Sequence, residues 1–121
     1  MQQQERITLA QRGEELVAKL LRLRGHQIIA RNVHAGRSEL DIVALRNRTL
    51  VICEVRTRKT EFFGAPAASV DERKQKLLRR GALRLRAEHP ELAGYTLRFD
   101  VAGVVCPESG TPRIDYYADA F

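Results

Sequence analysis

Apolar residues recur with a helical period near the start of the chain and in its second half, and with strand-like alternation elsewhere. The first stretch predicts a helix over 9–24, in which five apolar residues share one face. These residues are Leu9, Leu16, Val17, Leu20 and Leu21. Thr8 and Gln11 form a capping-box pattern at the start of this helix, and Gly25 suits the position after its end.

The remaining pattern predicts three strands, a second helix and two further strands. Ser69 and Glu72 repeat the capping-box pattern, and Pro90 stops the helix that follows. The segment 62–66 is predicted to be a loop. The predicted strands lie near 27–33, 38–45, 50–58, 95–105 and 114–117, and the second helix lies near 70–88.

The second and third strands are predicted to form a hairpin around the polar turn 46–49. A two-residue and a four-residue loop give the same register, in which Asp41 lies opposite Glu54 and Glu39 lies opposite Arg56. Since strand side chains alternate between faces, Glu39 and Asp41 are expected on one face of the sheet. The apolar residues Leu40, Ile42 and Ala44 are expected on the other face.

Two carboxylates that oppose each other across a ladder repel by up to about 1 kcal/mol when they are solvated. A divalent cation would remove this penalty, and side chains about 5 Å apart at Cβ can share one Mg²⁺ or Mn²⁺. Alternatively, Asp41 and Glu54 are exposed and are neutralised individually by Arg56 or Arg58. The pairing alone leaves both interpretations open.

Two residues on the predicted helices bear on this pair. Glu14 falls at the border of the first helix's apolar face, where it is either a third acid or an ordinary surface glutamate. Lys74 lies within the apolar arc of the second helix, although lysine is almost never fully buried without a partner. Its ammonium therefore either passes the end of the helix into water or extends toward the hairpin carboxylates.

The charge of the chain favours a nucleic-acid partner. The net charge is +6 and the pI is about 9.9, in the range that nucleic-acid-binding domains share. Candidate phosphate contacts are Arg58 at the end of the third strand, Lys59 directly after it, and a stripe along the second helix. The stripe consists of Arg73, Lys76, Arg80 and Arg84. It suits a phosphate backbone or simply a solvated outer face.

The composition excludes several classes of protein. The 121 residues suit one domain over 1–121, and the sequence contains no apolar run long enough to span a membrane. Residues 1–6 carry no apolar segment of a secretion signal. The two cysteines, Cys53 and Cys106, make neither a disulfide framework nor a zinc site, and we expect a cytoplasmic protein.

An ordered set of short motifs resembles the YraN-like family of bacterial proteins. The match runs from Gly13 to Val101, and each motif is weak alone. The motifs are Gly13-Glu14, Arg31-Asn32, Glu39-Leu40-Asp41-Ile42-Val43, Glu54-Val55-Arg56, Phe63-Gly64-Ala65-Pro66, Lys74 and Arg98-Phe99-Asp100.

That family is similar to the archaeal Holliday-junction resolvases and to the PD-(D/E)XK nucleases. The resemblance implies a restriction-endonuclease-like α/β fold with three layers, a mixed central sheet and flanking helices. It also implies that Asp41 and Glu54 bind Mg²⁺ or Mn²⁺, with Glu14 as an additional acid. By analogy with resolvases, it implies DNA as the nucleic-acid partner and a homodimer that makes two symmetric cuts.

The sequence departs from the nuclease pattern at position 56, where arginine replaces the lysine of the motif. Arginine stays protonated and cannot act as a base, although Glu39 across the ladder would pair with it. Lys74 would then supply the missing ammonium. The catalytic candidates are therefore Asp41, Glu54, Arg56 and Lys74.

Three functions are compatible with these residues. The first is a metal-dependent nuclease for branched or otherwise structured DNA, and the second is a module that binds nucleic acid without cutting it. The third is a protein-interaction domain with an aromatic surface, unless its aromatic residues close the core. Those residues are Phe62, Phe63, Tyr116 and Tyr117.

Overall fold

Two helices and five strands form in the predicted order within residues 7–121, the part of the chain that the computed structural model describes. The expectation of no secretion signal concerns residues 1–6 and lies outside this range. The elements are α1 (Leu9–Leu23), β1 (Gln27–Ala35), β2 (Ser38–Arg46), β3 (Thr49–Arg58), α2 (Glu72–Glu88), β4 (Thr96–Val105) and β5 (Arg113–Tyr117). Short 3₁₀ helices cover Pro66–Ser69 and Pro90–Leu92.

The strands form one mixed sheet in the order β1-β2-β3-β4-β5. β3 and β4 are parallel, and the other neighbours are antiparallel. α1 packs on one face of the sheet, in a cluster that includes Val17, Leu21, Ile42, Cys53 and Val104. α2 packs on the other face, in a cluster that includes Val43, Ile52, Leu78, Leu85 and Val101. The predicted three-layer α/β architecture with a mixed central sheet is confirmed.

Both predicted ends of α1 are present. The Thr8 side chain accepts a hydrogen bond from the Gln11 amide, and the Gln11 side chain accepts one from the Thr8 amide. At the other end, Gly25 has a φ of 86°, and the amide of His26 donates to the carbonyl of Leu21. This arrangement is a Schellman motif, in which glycine is favoured at the left-handed position because it has no Cβ.

The start of α2 differs from the prediction. Asp71 is the N-cap, and its carboxylate accepts a 2.8 Å hydrogen bond from the Lys74 amide. Ser69 instead ends the preceding 3₁₀ helix and donates from its hydroxyl to the Pro66 carbonyl. The predicted Ser69–Glu72 capping box is therefore wrong, because an aspartate two residues later satisfies the first free amides of the helix.

The predicted hairpin register is confirmed from Arg46 opposite Thr49 to Ile42 opposite Cys53. The turn closes at Asn47, which has a φ of 54°, a conformation that asparagine tolerates. Because this register is correct, Asp41 and Glu54 both lie one residue beyond the last pair of the ladder.

Both cysteines are buried free thiols. Within residues 7–121, no helix is both long enough and apolar enough to cross a membrane.

Candidate metal and nucleic-acid site

β2 and β3 diverge immediately beyond their last paired residues. From Asp41 back to Ser38, β2 pairs only with β1, whereas β3 continues to Arg58 paired only with β4. We call the gap between residues 38–41 of β2 and 54–58 of β3 the fork. The fork leaves main-chain polar groups of both strands without a ladder partner, so the side chains that enter it determine its chemistry.

Asp41 enters the fork from β2. Its Oδ2 accepts a 2.9 Å hydrogen bond from the amide of Val55, so a side chain replaces the carbonyl that would continue the ladder. The Asp41 carboxyl also lies close enough to the Glu54 carboxyl to raise its pKa. The predicted meeting of these two acids is therefore present, and it occurs where the strands separate.

Side-chain alternation breaks at Asp41. Leu40 packs in the α2 cluster and Ile42 in the α1 cluster, so the prediction that they share a face is wrong. In β1, Asn32 lies between the partners of Leu40 and Ile42 and has a φ of 51°, in the left-handed region that asparagine tolerates. Because this backbone shift lets both strands exchange faces at one point, Asp41 points into the fork.

Glu54 lies on the α2 side of the sheet and is 5% exposed. Burial and, after it, the neighbouring Asp41 carboxyl raise its pKa to about 7, although Lys74 and Arg56 oppose the rise. Its Oε1 atom is buried without a hydrogen-bond partner. A buried carboxylate oxygen with no donor is costly, and a bound cation would satisfy it.

Two cations converge on the other oxygen of Glu54. The Nζ of Lys74 lies 3.6 Å from Oε2, and a guanidinium nitrogen of Arg56 lies 3.3 Å from the same atom. Lys74 thus extends toward the hairpin carboxylates, which was one of its two predicted positions. Arg56 pairs with Glu54 rather than with the predicted Glu39, because the ladder ends before those two residues could face each other.

Glu14 approaches the fork from the α1 side of the sheet. It is 7% exposed, and burial raises its pKa, with a hydrogen bond from Asn32 opposing the shift. Close packing of α1 brings it there, since a Cβ at Gly13 would lie 1.9 Å from the Thr57 hydroxyl oxygen. Glycine at position 13 is therefore required for α1 to approach the sheet this closely.

The three acids do not form one preassembled cage. Among residues 7–121, no group of three or more His, Cys, Asp or Glu side chains is placed to hold a metal ion together. Glu54 lies on the α2 side, Glu14 on the α1 side, and Asp41 between them. The Asp41–Glu54 pair nevertheless fits Mg²⁺, which uses one or two carboxylates and completes its octahedron with water and phosphate oxygens.

A family model described as "Uncharacterised protein family UPF0102" matches residues 13–104, a segment that includes Glu14, Asp41, Glu54 and Lys74. The chain belongs to this family. The family resemblance inferred from the ordered motifs is therefore confirmed.

Individual UPF0102 proteins align along most of the chain. The relative from Acidothermus cellulolyticus is 41% identical, over 96% of this chain and 95% of its own length. The relative from Rhodopirellula baltica is 40% identical, over 97% of this chain and 72% of its own length. The relative from Porphyromonas gingivalis is 42% identical, over 90% of this chain and 80% of its own length.

Two basic surfaces of this UPF0102 chain carry the predicted phosphate contacts. The first, which we call the basic cleft, is a 430 Å³ depression. It is lined by Leu9, Arg56, Thr57, Arg58, Lys59, Thr60, Phe62 and Ser69. The second, which we call the α2 groove, is an open depression of 830 Å³. It is lined by Arg37, Asp71, Glu72, Arg73, Lys76, Leu77 and Arg80.

The charged groups of these surfaces differ in availability. Lys59 pairs with Glu108 at 3.1 Å, and Arg84 at the far end of the stripe pairs with Glu88 at 3.1 Å. Arg73 and Lys76 are exposed on α2. Arg73 and Lys76 lie near the start of α2, the same end that carries Lys74.

Sequence reasoning assigned no role to Asn32. The available signal was an asparagine inside a predicted strand, where asparagine is depleted because it favours turns and left-handed backbone. In the structure Asn32 has left-handed backbone at the point where the side-chain alternation breaks, and its side chain lowers the pKa of Glu14.

Proposed function

We propose that this UPF0102 chain is a metal-dependent nuclease, with Asp41 and Glu54 as the acids that hold Mg²⁺ or Mn²⁺. The observation that carries the proposal is the meeting of these two carboxyls in the fork, where a buried oxygen of Glu54 has no partner. DNA is the expected substrate. Glu14 is proposed as an additional acid that reaches the same ion through water.

The residues around the fork would have separate roles in binding and cleaving the nucleic acid. A bound ion would supply Lewis-acid stabilisation to the phosphodiester. Lys74, already 3.6 Å from Glu54, would place an ammonium where negative charge develops on the phosphate. Arg56 would hold a phosphate oxygen through its planar guanidinium but would not accept a proton. Arg58 in the basic cleft, with Arg73, Lys76 and Arg80 in the α2 groove, would bind flanking phosphates, and Lys59 would do so by leaving Glu108.

A second candidate is a module that binds nucleic acid without cutting it. It is favoured by the arginine at position 56, which cannot act as a base, and by the two cations that already neutralise Glu54. The two functions share the same phosphate contacts and differ only in whether products form.

Calorimetric titration with Mg²⁺ and with Mn²⁺ at pH 8 tests the metal site. We expect the wild type to bind and Asp41→Asn to lose binding, since one of two charged ligands is removed. Glu39→Gln is the matched control, because Glu39 is an exposed acid two residues away on the same strand. Equal binding by wild type and Asp41→Asn would contradict the metal site.

Cleavage of labelled branched, single-stranded and duplex DNA in Mg²⁺ or Mn²⁺ separates the two candidates. A nuclease would give products that disappear in Asp41→Asn and fall at least tenfold in Lys74→Ala, with Arg84→Ala as the control on the same helix, since Arg84 is paired with Glu88. Binding without products in either metal would establish the binding module instead. Unchanged cleavage by Lys74→Ala would remove Lys74 from the proposed role.

A further inference from the structure

The loop between β3 and the first 3₁₀ helix presents one aromatic ring to water. The Phe63 side chain is fully exposed, whereas the neighbouring Phe62 is half-buried. Scattered apolar residues are common on protein surfaces, but a whole phenyl ring outside the core forgoes a large gain from burial. The residues around Phe63 therefore indicate which partner the ring could contact.

The loop is braced on both sides of Phe63. Pro66 is buried against β4, where a Cβ at Gly103 would lie 2.1 Å from the proline ring and 3.5 Å from the Phe62 ring. The guanidinium of Arg58 covers the Phe62 ring at 5.1 Å. Because Phe62 and Pro66 both pack against the sheet, the loop between them has a fixed position and holds Phe63 in the solvent.

Phe63 directly follows a residue that lines the basic cleft. Phe62, the residue before it, forms part of the cleft wall together with the cationic Arg56, Arg58 and Lys59. None of the residues that line this cleft is acidic. Arg56 connects the cleft to the fork, since its guanidinium lies 3.3 Å from Glu54. A phosphate chain in the cleft would therefore pass close to the ring on its way to the carboxyls.

We propose that Phe63 stacks on an unpaired nucleobase of the nucleic acid whose phosphates lie in the basic cleft. An exposed aromatic ring next to a positive groove is the combination that single-strand-binding surfaces use. Bases inside a duplex are already stacked on their neighbours and present no free face to a ring. The substrate class is thus nucleic acid with unpaired bases, such as a single strand or a flap, and this inference rests on the proposed function.

Fluorescence anisotropy in EDTA, where no divalent ion supports cleavage, tests the inference with two labelled DNAs. One is a blunt hairpin and the other is the same hairpin with a single-stranded 3′ extension. Phe63→Ala is expected to bind the extended DNA roughly 5- to 100-fold more weakly, the range for one lost stacking contact. The blunt hairpin should lose less than twofold.

Three further variants separate stacking from general apolar contact. Phe63→Trp should keep the affinity for the extended DNA, and Phe63→Leu should behave like Phe63→Ala. Leu23→Ala is the matched control, because Leu23 is also strongly exposed but lies at the end of α1. The slope of log affinity against log salt should stay unchanged in Phe63→Ala, since no phosphate contact is removed.

The outcomes distinguish this inference from the function on which it rests. Binding of both DNAs with no preference for the extension, or equal losses on both DNAs in Phe63→Ala, would overturn the stacking contact alone. Full affinity in Phe63→Leu would overturn it as well. Absence of any binding by the wild type, in EDTA and in Ca²⁺, would overturn both the proposed function and the inference.

Discussion

Glu54 makes the stability of the protein depend on pH. Its pKa of about 7 exceeds the ordinary value of 4.5 that we take for the unfolded chain, so the folded state holds a proton that the unfolded state has released. The free energy of unfolding is therefore highest below about pH 4.5 with respect to this group. It falls as the pH rises to about 7, and stays low above that.

Glu54→Gln should stabilise the metal-free protein at high pH. The gain is expected to be near zero at pH 4.5 and about 2–3 kcal/mol at pH 8, because a neutral amide removes the ionisation penalty. Denaturant unfolding in EDTA at both pH values measures it, with the exposed Glu39→Gln as the control. A gain that is equal at both pH values would contradict the raised pKa of Glu54.

At this scale the sequence predicted which acids meet but not how they are held. The hairpin register follows from a short polar turn, so the approach of Asp41 to Glu54 could be calculated from residue numbers. The contact between Arg56 and Glu54 could not, because it depends on the separation of β2 and β3. The left-handed backbone of Asn32 was not predicted for a related reason. Strict alternation of side chains between faces assumes extended backbone at every residue of the strand.

At the scale of elements, the start of α2 fixes the position of the ammonium in the fork. Asp71 caps the helix by accepting from the amide of Lys74, the same residue whose Nζ reaches Glu54. The cap and the cation are thus linked through one residue. Loss of the cap should loosen the first turn and with it the contact across the layers.

Asp71→Ala should lower the free energy of unfolding by about 1 kcal/mol and the melting temperature by several degrees. Asp71→Asn should retain most of the stability, since asparagine also caps helices. Ser69→Ala should cost less than half as much, because the Ser69 hydroxyl donates only to the Pro66 carbonyl. Thermal unfolding of the three variants shows which residue caps α2. A larger loss in Ser69→Ala than in Asp71→Ala would restore the capping box predicted from the sequence.

Element types and order were predictable because each helix carries an apolar face and each strand is bounded by turn residues. The first residue of α2 was not predictable, because Ser69 and Asp71 are both good N-cap residues and the sequence alone does not rank them. The exchange of faces at Asp41 was missed for a different reason. It requires a backbone shift in β1 and β2 together, and a pattern within one strand cannot reveal it.

At the scale of the whole molecule, the net charge of +6 is not spread evenly over groups that are free to bind phosphate. The exposed Arg73 and Lys76 lie in the α2 groove, whereas Arg84 on the same helix is paired with Glu88 at 3.1 Å. If the proposed function is correct, Arg73 and Lys76 should contact nucleic acid and Arg84 should not.

Lys76→Gln should weaken binding of single-stranded and duplex DNA alike and reduce the slope of log affinity against log salt by about 0.7–0.9, the contribution of one phosphate contact. Arg84→Gln removes the same charge and serves as the control, with an expected change in slope near zero. Anisotropy titrations between 50 and roughly 200 mM salt measure both. Equal changes would indicate a diffuse charge effect rather than a located contact.

The layered construction has a consequence for how the site comes into being. The acids stand on strands that precede α2 in the chain, and the ammonium of Lys74 reaches them only when α2 docks on the far side of the sheet. An intermediate containing only the first helix and the hairpin would carry repelling acids and no helix-borne cation. If the proposed function is correct, the site becomes competent for chemistry only when the tertiary structure is complete, and a partly folded chain would not cleave nucleic acid.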